Sequence, residues 1–177
     1  RTGKLFACDW EGVAPDIICL GKSLSGGYPI SACVGKAKVM DAWPESEGEA
    51  LHTSTFLGNP VGCAMAVASL KAHLDNGIQT VVEDASAKLR GKLGGLSSPL
   101  IYEIRGRGLM LGMELRHEDG SAAGDVAGEV LSKMMQQGVF MLADGAEGNV
   151  LAFTPPFVIS DEEMQFAMEG LQSALDR

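Results

Sequence analysis

The sequence predicts an α/β chain in two parts, residues 1–77 and 78–177. In the first part, apolar runs of strand length stop at turns rich in Gly and Ser, and a long apolar helical stretch from Val61 to Leu74 is closed by Gly77. In the second, helical stripes and short alternating strands follow each other closely, the pattern of a small two-layer α+β unit.

The elements follow in order. Residues 16–20 and 30–34 read as strands. Residues 21–29 between them number nine, fewer than the dozen or so a parallel crossover needs, so the pair is expected to run antiparallel. Gly35 turns the chain into a short helix around Ala37 to Trp43, ended by Pro44, and residues 45–50 make an acidic loop that reads as a solvated link. Asn59 can cap the next helix, with Pro60 at its first position. That helix is apolar nearly all round, with Ala64, Ala66, Ala68 and Ala72 allowing close approach, and is expected to be buried.

Beyond Gly77, Ile78, Val82, Ala85, Leu89 and Leu93 form an amphipathic stripe. Leu109, Leu111, Met113 and Leu115 fall on one face of a strand. A helix is expected from about Gly124 to Gln137, strands at Val139 to Leu142 and Val150 to Phe153, and a last helix opened by the capping box of Ser160 and Glu163. The last helix should bury Met164, Ala167, Leu171 and Leu175.

Composition excludes some partners. Fourteen Lys and Arg against 23 Asp and Glu give a net charge of −9, which disfavours nucleic acid and anionic membrane surfaces. No apolar run reaches the ~20 residues of a membrane span, and no signal peptide is visible. Cys8, Cys19, Cys33 and Cys63 are widely spaced and make no C-x-x-C pair. They read as buried free thiols of a cytoplasmic protein rather than a zinc site or a disulfide framework.

One residue stands out chemically. The run Ile17 to Leu20 delivers Lys22 to a loop of Gly and Ser. An amine held rigidly there and partly desolvated can form a Schiff base with a carbonyl; the plainer alternative is a lysine reaching back to solvent. Gly21-Lys22-Ser23 ends like a triphosphate-binding loop, but Asp16 stands where that motif needs its first glycine. Gly106 to Leu111 starts like a dinucleotide fingerprint, yet places Leu111 at its sixth position and runs into a strand. Ser54 and Thr55 offer hydroxyls before a helix start, suited to a phosphate or to capping alone. Arg105 and Arg107 suit a carboxylate or a structural pair.

The stretch Gly21-Lys22-Ser23-Leu24-Ser25-Gly26-Gly27-Tyr28-Pro29-Ile30-Ser31-Ala32 resembles the cofactor-lysine segment of the class III aminotransferases. The resemblance continues in Arg1 to Lys4, in Pro15-Asp16-Ile17, in His52 to Pro60, in Arg105 to Met110 and in Phe153-Thr154-Pro155-Pro156. It implies the end of a fold-type-I pyridoxal-phosphate transferase large domain with a mostly parallel sheet, residues 1–77, followed by a small α+β C-terminal domain, residues 78–177.

The same resemblance implies pyridoxal 5'-phosphate as cofactor, Lys22 as catalytic and cofactor-holding residue, and Thr55 as a phosphate contact across a homodimer interface. Ser54 beside it is a second phosphate candidate, and His52 has no assigned role. An amino donor and a keto acceptor are the implied substrates; an aminomutase, a decarboxylase or a noncatalytic interaction module are the alternatives. Ala152 stands where ornithine and acetylornithine aminotransferases place a carboxylate-binding arginine, which implies a different donor. The resemblance begins in mid-motif at Arg1. The expectation is therefore the C-terminal portion of a longer enzyme, inactive alone.

Overall fold

The computed structural model describes residues 1–50 and 52–176, and the chain divides into two compact units, Phe6–Ile78 and Arg1–Leu5 with Gln79–Arg177. In the first unit, β1 (Ile17–Leu20) pairs antiparallel with β2 (Ala32–Gly35), as the short intervening loop requires. α1 (Ala37–Met40) is a single turn before the exposed acidic loop. α2 (Pro60–Asp75) starts where Asn59 caps it and ends before Gly77, whose φ of 59° suits glycine.

The burial of this unit departs from expectation. Of α2 only Gly62 and Ala66 are buried, and Val61, Val67 and Leu74 are exposed. The cysteines are free, but Cys19, Cys33 and Cys63 are exposed and Cys8 is half-buried. Apolar neighbours in sequence do not bury a thiol where, among the described residues, no further layer covers it.

The second unit holds the core. β3 (Ile101–Arg107), β4 (Met110–Leu115), β5 (Leu142–Asp144) and β6 (Val150–Phe153) form a sheet in the order β3-β4-β6-β5. All its pairings are antiparallel, so this chain itself builds no parallel strand pair among the described residues. Leu109, Leu111, Met113 and Leu115 are all buried. Val82, Leu89 and Leu93 of α3 (Ile78–Gly94), Val130 and Met134 of α4 (Gly124–Gln136), and Met164 and Leu171 of α5 (Asp161–Leu175) are buried as well, and with the strand residues they make up the apolar core.

Caps and turns fix the ends. Ser160 accepts from the Glu163 amide at 3.1 Å and Glu163 accepts from the Ser160 amide at 2.8 Å, completing the capping box. Gly106, at φ 126°, leaves no room for a Cβ beside the Met110 carbonyl, which is why the β3–β4 hairpin carries a glycine there. The strand expected at Val139 to Leu142 starts instead at Leu142. Pairing with β6 sets its register, Leu142 opposite Ala152 and Asp144 opposite Val150, and leaves Phe140 84% exposed.

The outer face of the sheet is polar. Glu114 accepts from Arg105 at 2.5 Å and from Arg116 at 2.8 Å, and the Arg116 guanidinium lies 3.7 Å over the Tyr102 ring. The hydrogen bonds from Arg116 and Arg105 hold the Glu114 carboxyl below its usual range. Its contribution to stability is present above about pH 4.3 and is lost as pH falls through the lowered value. Glu114→Gln should flatten the acid limb of a stability–pH profile measured by chemical denaturation. In the core, Leu171→Ala should cost about 2–5 kcal/mol by the same measurement. The exposed Phe140→Ala should stay within about 0.5 kcal/mol of the parent.

Candidate active site

Lys22 opens a 3-10 turn, Lys22–Ser25, directly after β1. With φ 48° it is the one non-glycine residue of positive φ among the described residues. A lysine gains nothing locally from that conformation, which typically costs about 1–3 kcal/mol, and such outliers concentrate at functional positions. Its side chain is exposed, and no hydrogen bond or ion pair engages its ammonium among the described residues.

The turn is held from below. Ser25 is buried at 3% exposure, donates to the Tyr28 carbonyl and accepts from the Gly27 amide at 3.4 Å. Tyr28 reaches α2, where its hydroxyl donates to Asn59 Oδ1 at 3.4 Å. The same oxygen caps the helix by accepting from the Val61 and Gly62 amides at 3.0 and 3.1 Å. Gly62 permits this approach, because a Cβ there would lie 3.1 Å from two carbons of the Tyr28 ring. Two helical turns on, Ser69 donates to the Ser23 carbonyl at 3.4 Å. Gly62, Ala66 and Ser69 lie at spacings of four and three, so they form a single small-residue face that receives the lysine turn.

Ser54 and Thr55 lie in an exposed loop before this helix. The Leu57 amide donates to the Ser54 carbonyl at 3.0 Å and the Asn59 amide to the Phe56 carbonyl at 3.1 Å, so the loop is two successive turns with Gly58 at φ 68°. Two of the first amides of α2 go to Asn59, so the helix terminus offers less to an anion than its position suggests. The loop's side-chain hydroxyls are those of Thr53, Ser54 and Thr55. Lys22 and Asn59 are thus tied through Tyr28, a link no local sequence signal announces.

In the second unit, Arg105, Gly112, Ala152 and Leu142 form one row across the sheet. A cavity of about 670 Å³ opens there, lined among others by Arg105, Arg107, Ala152 and Thr154. Arg105 is engaged by Glu103 at 3.1 Å as well as Glu114, so it serves the sheet.

The class III aminotransferase family profile matches residues 1–175. The chain belongs to that family. Among curated class III relatives, the ornithine aminotransferase of Brevibacillus brevis is 36% identical over 176 residues, covering 99% of this chain and 41% of that protein. The ornithine aminotransferase of Toxoplasma gondii, in a structure that shows partial occupancy of PLP at its active site, matches with a TM-score of 0.78 at 38% identity. That match covers 99% of this chain and 39% of the Toxoplasma chain. A phospholyase from Arthrobacter in complex with phosphoethanolamine matches with a TM-score of 0.87 at 27% identity, over 99% of this chain and 42% of its own. The chain therefore spans about two fifths of the length of these relatives.

The shared Asn59 oxygen gives a direct test of how the lysine turn is seated. Asn59→Ala should cost about 1 kcal/mol of local stability. Hydrogen exchange at the Val61 and Gly62 amides should then rise roughly fivefold.

Proposed function

We propose that this class III aminotransferase chain carries the cofactor lysine of an enzyme moving an amino group from an amine or amino acid to a 2-keto acid or aldehyde. The single observation behind this reading is Lys22: an unengaged amine, held in a left-handed conformation at the end of β1 within the family's lysine segment. The donor set fits pyridoxal 5'-phosphate, with one free primary amine for its aldehyde and the hydroxyls of Thr55 and Ser54 for its phosphate. When bound, that group supplies the electron sink.

The chain's own residues supply the rest. Lys22 Nζ would hold the cofactor through its aldehyde and, once free, would be the base that carries a proton at the substrate carbon. Thr55 anchors the phosphate across a homodimer interface, so each site is built by two chains. Residues 1–77 are the end of the cofactor-binding large domain and 78–177 the small C-terminal domain. The enzyme works in the cytoplasm. Ala152 offers a methyl group where a guanidinium would clamp an α-carboxylate, so the donor is not held by that route.

The likeness to the Arthrobacter phospholyase supports a second reading, another reaction on the same scaffold. Labelled amine nitrogen appearing in a second keto acid would separate transfer from any such chemistry. Lys22 itself is tested in the full-length protein loaded with pyridoxal phosphate. Borohydride reduction followed by peptide mass spectrometry should place the label on Lys22. Lys22→Ala should lose both the label and the visible absorbance band. A label elsewhere, or an unchanged spectrum, removes the assignment, and no label at high cofactor concentration favours a noncatalytic interaction module.

A further inference from the structure

We propose that Tyr28 is a positioning residue for Lys22, which sets the direction of the lysine turn by lodging against Asn59 and Gly62 at the head of α2. This inference rests on the reading of Lys22 as the cofactor lysine. The turn is stiff in itself. The Leu24 amide donates to the Gly21 carbonyl and the Gly26 amide to the Ser23 carbonyl, both at 3.0 Å. Its ends are looser. Gly21 precedes Lys22, and Gly26 and Gly27 follow the turn at φ 73° and 145°. Glycine has more backbone freedom than any other residue. A short rigid piece between glycine joints keeps its shape but takes its direction from whatever holds it outside.

α2 supplies that hold. Ser69 donates to the Ser23 carbonyl at 3.4 Å, and a Cβ on Gly26 would come within 3.9 Å of the Ser69 hydroxyl. Beyond the glycine pair, Tyr28 makes the second attachment, its hydroxyl donating to Asn59 Oδ1 at 3.4 Å. That oxygen already takes the Val61 and Gly62 amides. An amide oxygen has two lone pairs, so a third donor stands at longer range. The ring is seated more closely than the hydroxyl. A Cβ on Gly62 would lie 3.1 Å from two carbons of the Tyr28 ring and 3.2 Å from Ile30 Cδ1. Tyr28 and Ile30 therefore share one gap on the helix, a glycine wide.

Lys22 is thus bracketed. On one side Leu20 is fixed opposite Ala32 in the strand pair, and on the other the turn is fixed through Tyr28. A reacting group misplaced by about 1 Å can lose roughly 10²-fold in rate. Partial unseating of the turn should therefore slow the reaction of the Lys22 amine with an aldehyde without removing it.

The test adds pyridoxal 5'-phosphate to the cofactor-free full-length protein and follows the growth of the visible absorbance band, then reduces with borohydride and maps the labelled peptide. Tyr28→Phe keeps the ring on Gly62 and removes the hydroxyl. Band growth should slow about tenfold, with the label still on Lys22. The cap on α2 is untouched, so hydrogen exchange at the Val61 and Gly62 amides should keep its wild-type rate. Gly62→Ala separates seating from stability. Alanine favours a helix over glycine, so resistance to denaturant should hold. Its methyl group pushes on the Tyr28 ring, and band growth should slow about threefold. A merely structural role predicts no slowing in a variant whose helix is as firm as before.

Wild-type band growth in both variants, with the label on Lys22, would overturn the positioning role and leave the cofactor reading standing. A wild-type protein labelled elsewhere, or not at all, would overturn both. Should Tyr28→Phe fold poorly, Gly62→Ala decides the matter.

Discussion

A single side-chain oxygen, Asn59 Oδ1, sits at the centre of the first unit. It caps α2 through two amides and receives the Tyr28 hydroxyl, so the start of the helix and the lysine loop are held by one acceptor. The energies explain why several contacts are needed. The left-handed backbone at Lys22 costs about 1–3 kcal/mol, whereas a net hydrogen bond returns only about 0.5–1.5 kcal/mol. One contact cannot hold the turn. Ser25 beneath it, the ring of Tyr28 against Gly62 and the bond from Ser69 together over-determine it.

The second unit is stabilised differently. Its helices close over one face of an antiparallel sheet whose alternate residues are almost wholly shielded from solvent. The other face is organised by charge, with Glu114 between two arginines. Ala152 lies on that polar face beside Gly112, both small, and this leaves the row open next to an Arg105 already paired with Glu103 and Glu114. The space at Ala152 is therefore shaped by what is missing from two adjacent strands rather than by a new recognition group.

Signals confined to a few residues were legible in the sequence. Asn59-Pro60 and Ser160 with Glu163 mark helix starts through chemistry that acts within one turn. The alternation from Leu109 to Leu115 specifies its buried face, and the short loop specifies the antiparallel pair. Signals that depend on distant partners were not. Nothing in Val139 to Leu142 reveals that pairing with β6 begins only at its last residue. The apolar surroundings of Cys19 and Cys33 suggested burial, because sequence does not say whether a covering layer is present. Lys22, Ser54 and Thr55 were recognisable as residue types in a family pattern, but the left-handed backbone at Lys22 and the Tyr28–Asn59 bond are three-dimensional facts.

The outward side of α2 has a further consequence. Val61, Val67 and Leu74, like Trp43 and Phe56 elsewhere in the first unit, are exposed apolar side chains. The net charge of −9 opposes the approach of two copies. Added electrolyte shortens the reach of that repulsion to about 8 Å at 0.15 M, while leaving the attraction between greasy side chains intact. Association between copies of this chain is therefore expected to rise with ionic strength.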